Sequence, residues 1–208
     1  FLIVVIIMIA GTIVSEEFNK GTIKLLLVKP YTRNKILAAK FITTLIIIAF
    51  VAVTTIIMQI LVGGIFFGFD SLNLPVIAYN FNTNTLQKIN IFVYLGLQTI
   101  ANLPLIILLA TLAFAISTIF SNSALAITVS LLGYMTSTVI NQLIMGYNIT
   151  FMKYFVTMNW DFSQYLFGSL PYMQGMSMLI SLITCIIYLL LMLIPTFIIF
   201  KRRNIKNI

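Results

Sequence analysis

FITTLIIIAFVAVTTIIMQILV, residues 41–62, is a run of twenty-two residues without a single charge. About 20 apolar residues in helical form cross the hydrocarbon core of a bilayer. The run is rich in Ile, Val and Thr, residues that favour strands in water, but it is too long and too uniformly apolar for the alternating strand of a barrel. In lipid every backbone N–H and C=O must be satisfied internally, so a helix is the expected form. Working outward, similar runs occupy 91–119, 124–146 and 174–200, and a shorter one, FLIVVIIMIAGTIV, fills 1–14. Phe1 stands inside that first run, which reads as the tail of a span whose start precedes this sequence. The expected fold is an all-α polytopic helical bundle, a single domain over 1–208 with five visible transmembrane helices and six in the intact chain.

Composition supports that solvent. Of the 208 residues, 61% are hydrophobic and 8% charged, with a mean hydropathy of +1.12. Soluble domains carry about 25% charged residues. The net charge of +8 does not point to nucleic acid, because the bases sit at the ends of apolar runs rather than on a solvated face with stacking aromatics. There they set orientation and meet lipid phosphates. The chain has no His, which removes His-based triads and imidazole ligands, and its one cysteine, Cys185, lies within an apolar run.

Lys and Arg collect on the cytoplasmic side of membrane proteins. Residues 15–40 hold six bases and the tail KRRNIKNI (201–208) holds four, ten of the twelve in the chain. With 15–40 inside, each span reverses the side and the tail also falls inside. The loops 63–90 and 147–173, each with one acid and one base, fall outside. The second is rich in aromatics and is expected to lie against the outer leaflet as a short interfacial or re-entrant helix.

Residues 15–40 also hold two acids, Glu16 and Glu17, so half of the charged residues lie in one short connection. Within it Gly21 and Pro30 bracket TIKLLLVK. Thr22 suits an N-cap, and Pro30 stops a helix at Lys29. Ile23, Leu26 and Leu27 share one face and Lys20 and Lys24 another, which predicts a short amphipathic helix along the membrane surface. Thr32 is placed to cap a second helix running through Arg33, Lys35 and Lys40 into the span at 41–62. Glu16 and Glu17 are expected near Arg33 or Lys35, as ion pairs or simply solvated.

The order Glu17, Gly21-Thr22, Leu26-Leu27, Pro30, Arg33 and Lys40 resembles the signature of ABC type-2 exporter permeases. The ending FIIFKRRNIKNI is similar to that family's closing span and basic tail, with Asn204 where an acid is usual. The resemblance implies that the segment around Glu17, Gly21, Thr22, Ile23, Leu26, Leu27, Pro30 and Arg33 is a coupling helix docking on a cytoplasmic ATPase subunit. It further implies two ATPase copies, a second permease chain, identical or homologous, and ATP and Mg held by the partner rather than by this chain. Short outer loops and small size look most like the bacitracin-resistance, lantibiotic-immunity and modulin-export branch, and so like export of an amphipathic peptide, drug or lipid-like molecule across a bacterial cell membrane.

The residues agree with a partner for ATP: no Gly is followed by Lys, so no P-loop is present, and no nucleophile motif stands out. The expectation is a permease subunit rather than an enzyme. Gln59, Gln98, Asn102, Asn141 and Gln142 lie in or near the spans, where amides either line a pathway or bond between helices. Ala113 with Ser117, and Gly133 with Ser137, have the spacing of close helix packing. A non-transporting immunity or scaffold protein and an ion-coupled carrier remain as other readings. The second is weakened because no span carries an acid or base.

Overall fold

The computed structural model describes residues 2–22, 32–81, 83–147 and 150–202. It is an all-α polytopic membrane protein with one small hairpin. The elements run α1 (Leu2–Thr12), α2 (Ser15–Asn19), α3 (Arg33–Phe67), β1 (Val76–Asn80), β2 (Thr85–Ile89), α4 (Ile91–Phe120), α5 (Ser123–Gly146), α6 (Val156–Asn159) and α7 (Met178–Arg202), with 3₁₀ turns at Phe69–Asn73, Thr150–Tyr154 and Phe162–Gly168. Four helices, α3, α4, α5 and α7, are long and apolar enough to cross a membrane, and α1 is a shorter apolar helix of 11 residues.

α3 begins where the sequence predicts: the Thr32 carbonyl accepts from the Lys35 and Ile36 amides. It runs past the expected end at residue 62, through Gly63 and Gly64, to Phe67. A Cβ on Gly64 would lie 2.3 Å from the Phe69 ring, so glycine is what allows the chain to fold back on the helix end. Gly68, at φ 80°, then stops it in the left-handed position that favours glycine. Hydroxyls in the spans bond their own helix. Thr44, Thr55, Thr99, Thr111, Thr118, Thr184 and Thr196 each donate to the carbonyl four residues back. A hydroxyl satisfied this way can face lipid or protein at little cost.

The described chain groups into two compact units. The first, from 1–48, 106–140 and 186–208, is centred on Val14, Phe18, Leu37, Phe114 and Phe200, with Ile13, Phe41 and Phe197 packed around them. Phe18 meets Phe200 edge-on at 6.4 Å, and Phe41 meets Phe114 at 5.4 Å. Gly11 lets α1 approach α5 closely: an added Cβ would lie 3.0 Å from Ile127. The Ala113/Ser117 face of α4 is buried, and the Ser117 hydroxyl accepts from the Ser15 amide at 3.2 Å. At Gly133, by contrast, an added Cβ would meet open space.

The second unit, from 49–105 and 141–185, contains the hairpin, all three 3₁₀ turns and α6. The strands pair antiparallel from Val76 opposite Ile89 to Asn80 opposite Thr85. The loop reading of 63–90 is therefore corrected to a 3₁₀ turn and a hairpin. Segment 147–173 forms no continuous helix: Leu166 is extended and Phe167 takes φ 55°, which divides the last 3₁₀ stretch.

Candidate functional site

The described members of the sequence pattern, Glu17, Gly21, Thr22, Arg33 and Lys40, all lie in the first unit. α2 opens with Ser15, Glu16 and Glu17, acids suited to the positive end of a helix. It closes at Gly21, whose φ of 67° suits a residue without a Cβ and whose amide donates to the Phe18 carbonyl. Thr22 donates its hydroxyl to the Glu17 carbonyl at 3.4 Å. Ile23, Leu26, Leu27 and Pro30, and with them the predicted amphipathic helix, lie outside the described residues.

The expected pairing of the two glutamates is corrected. Glu16 pairs with Lys20 at 3.0 Å, one turn along the same exposed helix face. Glu17 pairs with Lys40, its Oε1 2.6 Å from the ammonium. The reason lies in the period of α3: Leu37, Phe41 and Thr44 repeat at helical spacing on the packed face, and Lys40 stands beside them. Arg33, two turns earlier, instead donates to the Lys201 carbonyl at 3.2 Å, and Lys35 is exposed. Lys40 also donates to the Ile13 carbonyl at 2.5 Å, a group left without an intrahelical partner at the end of α1. The side chains of Lys40 and Glu17 are only 15% and 24% exposed. The second Glu17 oxygen, Oε2, is buried with no hydrogen-bond partner among the described residues. One ammonium thus ties three elements, α1, α2 and α3.

The second unit holds a polar network, buried at Asn159, Gln164 and Ser181 and reaching the surface at Tyr172, that sequence reasoning missed. Asn159 donates to the Lys153 and Phe155 carbonyls at 2.7 and 2.9 Å and accepts from the Ser181 hydroxyl at 2.7 Å. Ser181 in turn bonds the Tyr165 hydroxyl at 2.6 Å. Gln164 donates to the Met158 and Asp161 carbonyls and accepts from the Tyr172 amide. Asp161 caps the turn at Ser163 and accepts from the Tyr172 hydroxyl at 2.8 Å. Burial pushes the Tyr172 phenol well above its ordinary range, helped by that bond and by the Asp161 charge, and burial likewise raises Tyr165. Both phenols are therefore held neutral as donors. The available signal was the density of Asn, Asp, Ser and Gln among the aromatics of NWDFSQY (159–165), more polar groups than a purely interfacial loop needs.

The sequence profile described as a protein of unknown function, DUF2705, matches residues 1–206. The chain belongs to the DUF2705 family. It is similar to the uncharacterized protein YhcI of Bacillus subtilis (strain 168), 33% identical over 97% of this chain, and to the uncharacterized membrane protein YdbK of the same organism, 28% identical over 96%. The chain spans 64% of the length of YhcI and 76% of that of YdbK. No solved structure matches.

In this DUF2705 chain the five in-span amides have different surroundings. Gln59 on α3 and Gln142 on α5 are exposed, and Gln98, Asn102 and Asn141 are half-buried. Asn102 donates to the Gln98 carbonyl at 2.9 Å, one turn before it in α4 and just ahead of Pro104. Asn141 is engaged by α6: its amide donates to the Thr157 carbonyl at 2.9 Å, and the Thr157 hydroxyl donates to its Oδ1. No group of three or more His, Cys, Asp or Glu able to hold a metal occurs among the described residues.

Proposed function

We propose that this chain is the permease subunit of an exporter driven by ATP hydrolysis in a separate ATPase subunit. Residues 15–40 and 201–208 face the cytoplasm of a bacterial cell, and the substrate is an amphipathic peptide, drug or lipid-like molecule. A second permease chain, identical or homologous, completes the pathway, and two ATPase copies bind ATP and Mg.

The observation that carries this reading is the contact of Glu17 with Lys40. Both belong to the order of residues that resembles the exporter signature, and their 2.6 Å pairing fixes the two ends of the intervening segment against each other. A permease moved by a soluble motor needs a stiff connection between the docking segment and a spanning helix. Gly21 turns the chain out of α2, Lys40 anchors its return, and α3 continues unbroken from Arg33 to Phe67. A push on the intervening residues is then delivered to the base of α3 rather than lost in a slack loop. The absence of any acid or base from residues 41–62, 91–119 and 124–146 favours this reading over an ion-coupled carrier.

The test is affinity purification of the full chain from its own host in mild detergent, with identification of any ATPase subunit that copurifies. Leu26→Asp with Leu27→Asp is expected to release the ATPase, since interface hot spots lose about 2 kcal/mol or more on truncation. Lys20→Gln with Lys24→Gln is expected to leave most of the complex intact. Absence of an ATPase from the wild-type preparation, or an intact and active complex with the Leu26 and Leu27 replacements, overturns the proposal.

A further inference from the structure

The hairpin has one face that nothing in the second unit covers. Ile77 lies opposite Lys88, and Tyr79 opposite Leu86. Directly opposed residues in an antiparallel pair project to the same side, so these four form one surface. Ile77 is 63% and Leu86 69% exposed. The hairpin is held in place from its tip: the Phe81 amide donates to the Gly168 carbonyl at 3.0 Å, and Asn80 packs so closely on Gly168 that an added Cβ would lie 2.1 Å from its Oδ1. The neighbouring Phe167 stacks on Tyr94 of α4 at 5.3 Å. The exposed apolar face therefore sits on an anchored platform, not on a loose loop.

We infer that this face is a membrane-interface anchor, and that its occupant is the boundary between the headgroups and acyl chains of the bilayer. Position comes first. Ile89 ends β2, Asn90 caps α4 by accepting from the Phe92 amide, and the span begins at Ile91. α4 has 30 residues. At about 1.5 Å per residue it is about 45 Å long, which matches the roughly 40–45 Å of a bilayer with its headgroups. The start of α4 thus lies at headgroup level, and β2 departs from there. Continuity comes second: the end of α3 and the turn after it are exposed and apolar at Phe66, Phe67, Phe69 and Leu74.

Chemistry is third. Tyr79 offers an aromatic body whose hydroxyl is satisfied by Asn84 at 3.2 Å, the form that aromatics take in interfacial belts. Lys88 puts an ammonium at the edge of the same face, suited to a lipid phosphate. Size argues against a protein partner. Two five-residue strands give a face of roughly 150–200 Å² from strand rise and spacing, where a stable interface takes about 800 Å² per partner.

Nitroxide labels test the inference on the full chain in vesicles of phosphatidylethanolamine and phosphatidylglycerol. Single cysteines replace Ile77, Leu86 and, on the opposite face, Gln87, in a Cys185→Ser background. Collision with oxygen, which enriches in lipid, is compared with collision with a water-soluble nickel chelate. The expected result is a ratio several-fold higher at 77 and 86 than at 87, alternating along the strand. The same contrast read from Tyr79→Cys against Ala78→Cys covers the failure of any single variant. Equal, high access of the chelate at all positions overturns the inference in favour of a solvated hairpin. Low access of both reagents at 77 and 86 overturns it in favour of cover by protein.

Discussion

The Lys40 ammonium lies 2.6 Å from Glu17 Oε1 and 2.5 Å from the Ile13 carbonyl oxygen, closing the charged connection on the base of α3. Among the described residues Oε2 of Glu17 is buried without a donor, and Lys40 is the cation paired with the carboxylate. Lys40→Met is expected to cost about 1–3 kcal/mol, the penalty of leaving a partly buried acceptor uncompensated. Glu17→Gln added to Lys40→Met should recover part of that loss. Unfolding midpoints in detergent measure both, and strictly additive single-site losses would contradict a coupled pair.

Orientation is tested by chemistry from one side. Cysteines placed singly at Lys24 and at Lys153, with Cys185→Ser, are expected to react with an impermeant maleimide from opposite sides of intact cells. Reaction of both from outside would overturn the proposed arrangement.

Asn159 uses both amide hydrogens and its carbonyl oxygen in buried contacts. Asn159→Ala strands two backbone carbonyls and the Ser181 hydroxyl, and a loss of about 2–4 kcal/mol is expected. Ser181→Ala removes the hydroxyl that bonds both Asn159 and Tyr165 but leaves Asn159 its two donor bonds to backbone carbonyls, and should cost less. Thermal denaturation gives the ranking, and the reverse order would show that Asn159 is not the hub.

Gly168 adopts φ 75° against the Asn80 side chain. Gly168→Ala is expected to destabilise by about 1–3 kcal/mol through strain and clash, whereas Gly133→Ala, in open space, should be close to neutral. Similar melting temperatures for the two variants would mean that the hairpin is not seated on Gly168.

If amides of α4 line a pathway, Gln98→Leu and Asn102→Leu should reduce transport more than Thr54→Leu, whose hydroxyl is satisfied by the Val51 carbonyl. Substrate-stimulated ATP hydrolysis in vesicles is the readout. Equal, small effects from all three would assign the amides to packing. Asn141→Leu is expected to act on stability instead, through its loss of Thr157.

The spans were legible because a run such as 41–62 has a single physical solution in lipid. The boundaries beyond them were set by contacts that a run of residues does not announce. α3 overran its apolar stretch because Gly64 admits the Phe69 ring. The hairpin did carry a signal: the β-branched and aromatic residues of VIAYN and the Asn-rich turn of NFNTN, residues 80–84. In a chain this apolar, so short a strand signal beside Asn and Thr reads as a polar connection. The pairing of Glu17 was not legible, because Arg33, Lys35 and Lys40 are equivalent as charges. Lys35 stands on an exposed face of α3, and Arg33 shares the face of Lys40 but lies two turns nearer the helix start, where it meets the Lys201 carbonyl. The Asn159 network depends on segments folding onto one another from either side of α6, which composition alone does not encode.

The arrangement around Phe114 also bears on how the protein is made. Val14, Phe18 and Leu37 leave the ribosome ahead of Phe114 and Phe200 and are joined locally by the Lys40 contacts, so α1, α2 and the base of α3 can associate before the later helices are made. Phe114 follows near the end of α4, and Phe200, fully buried against Phe18, arrives only when α7 is nearly complete. Until then the aromatic pocket in the first unit stands open on one side. Newly inserted chains must therefore pass through an interval in which the bundle is threaded but unlocked, and α7 is the element that ends it.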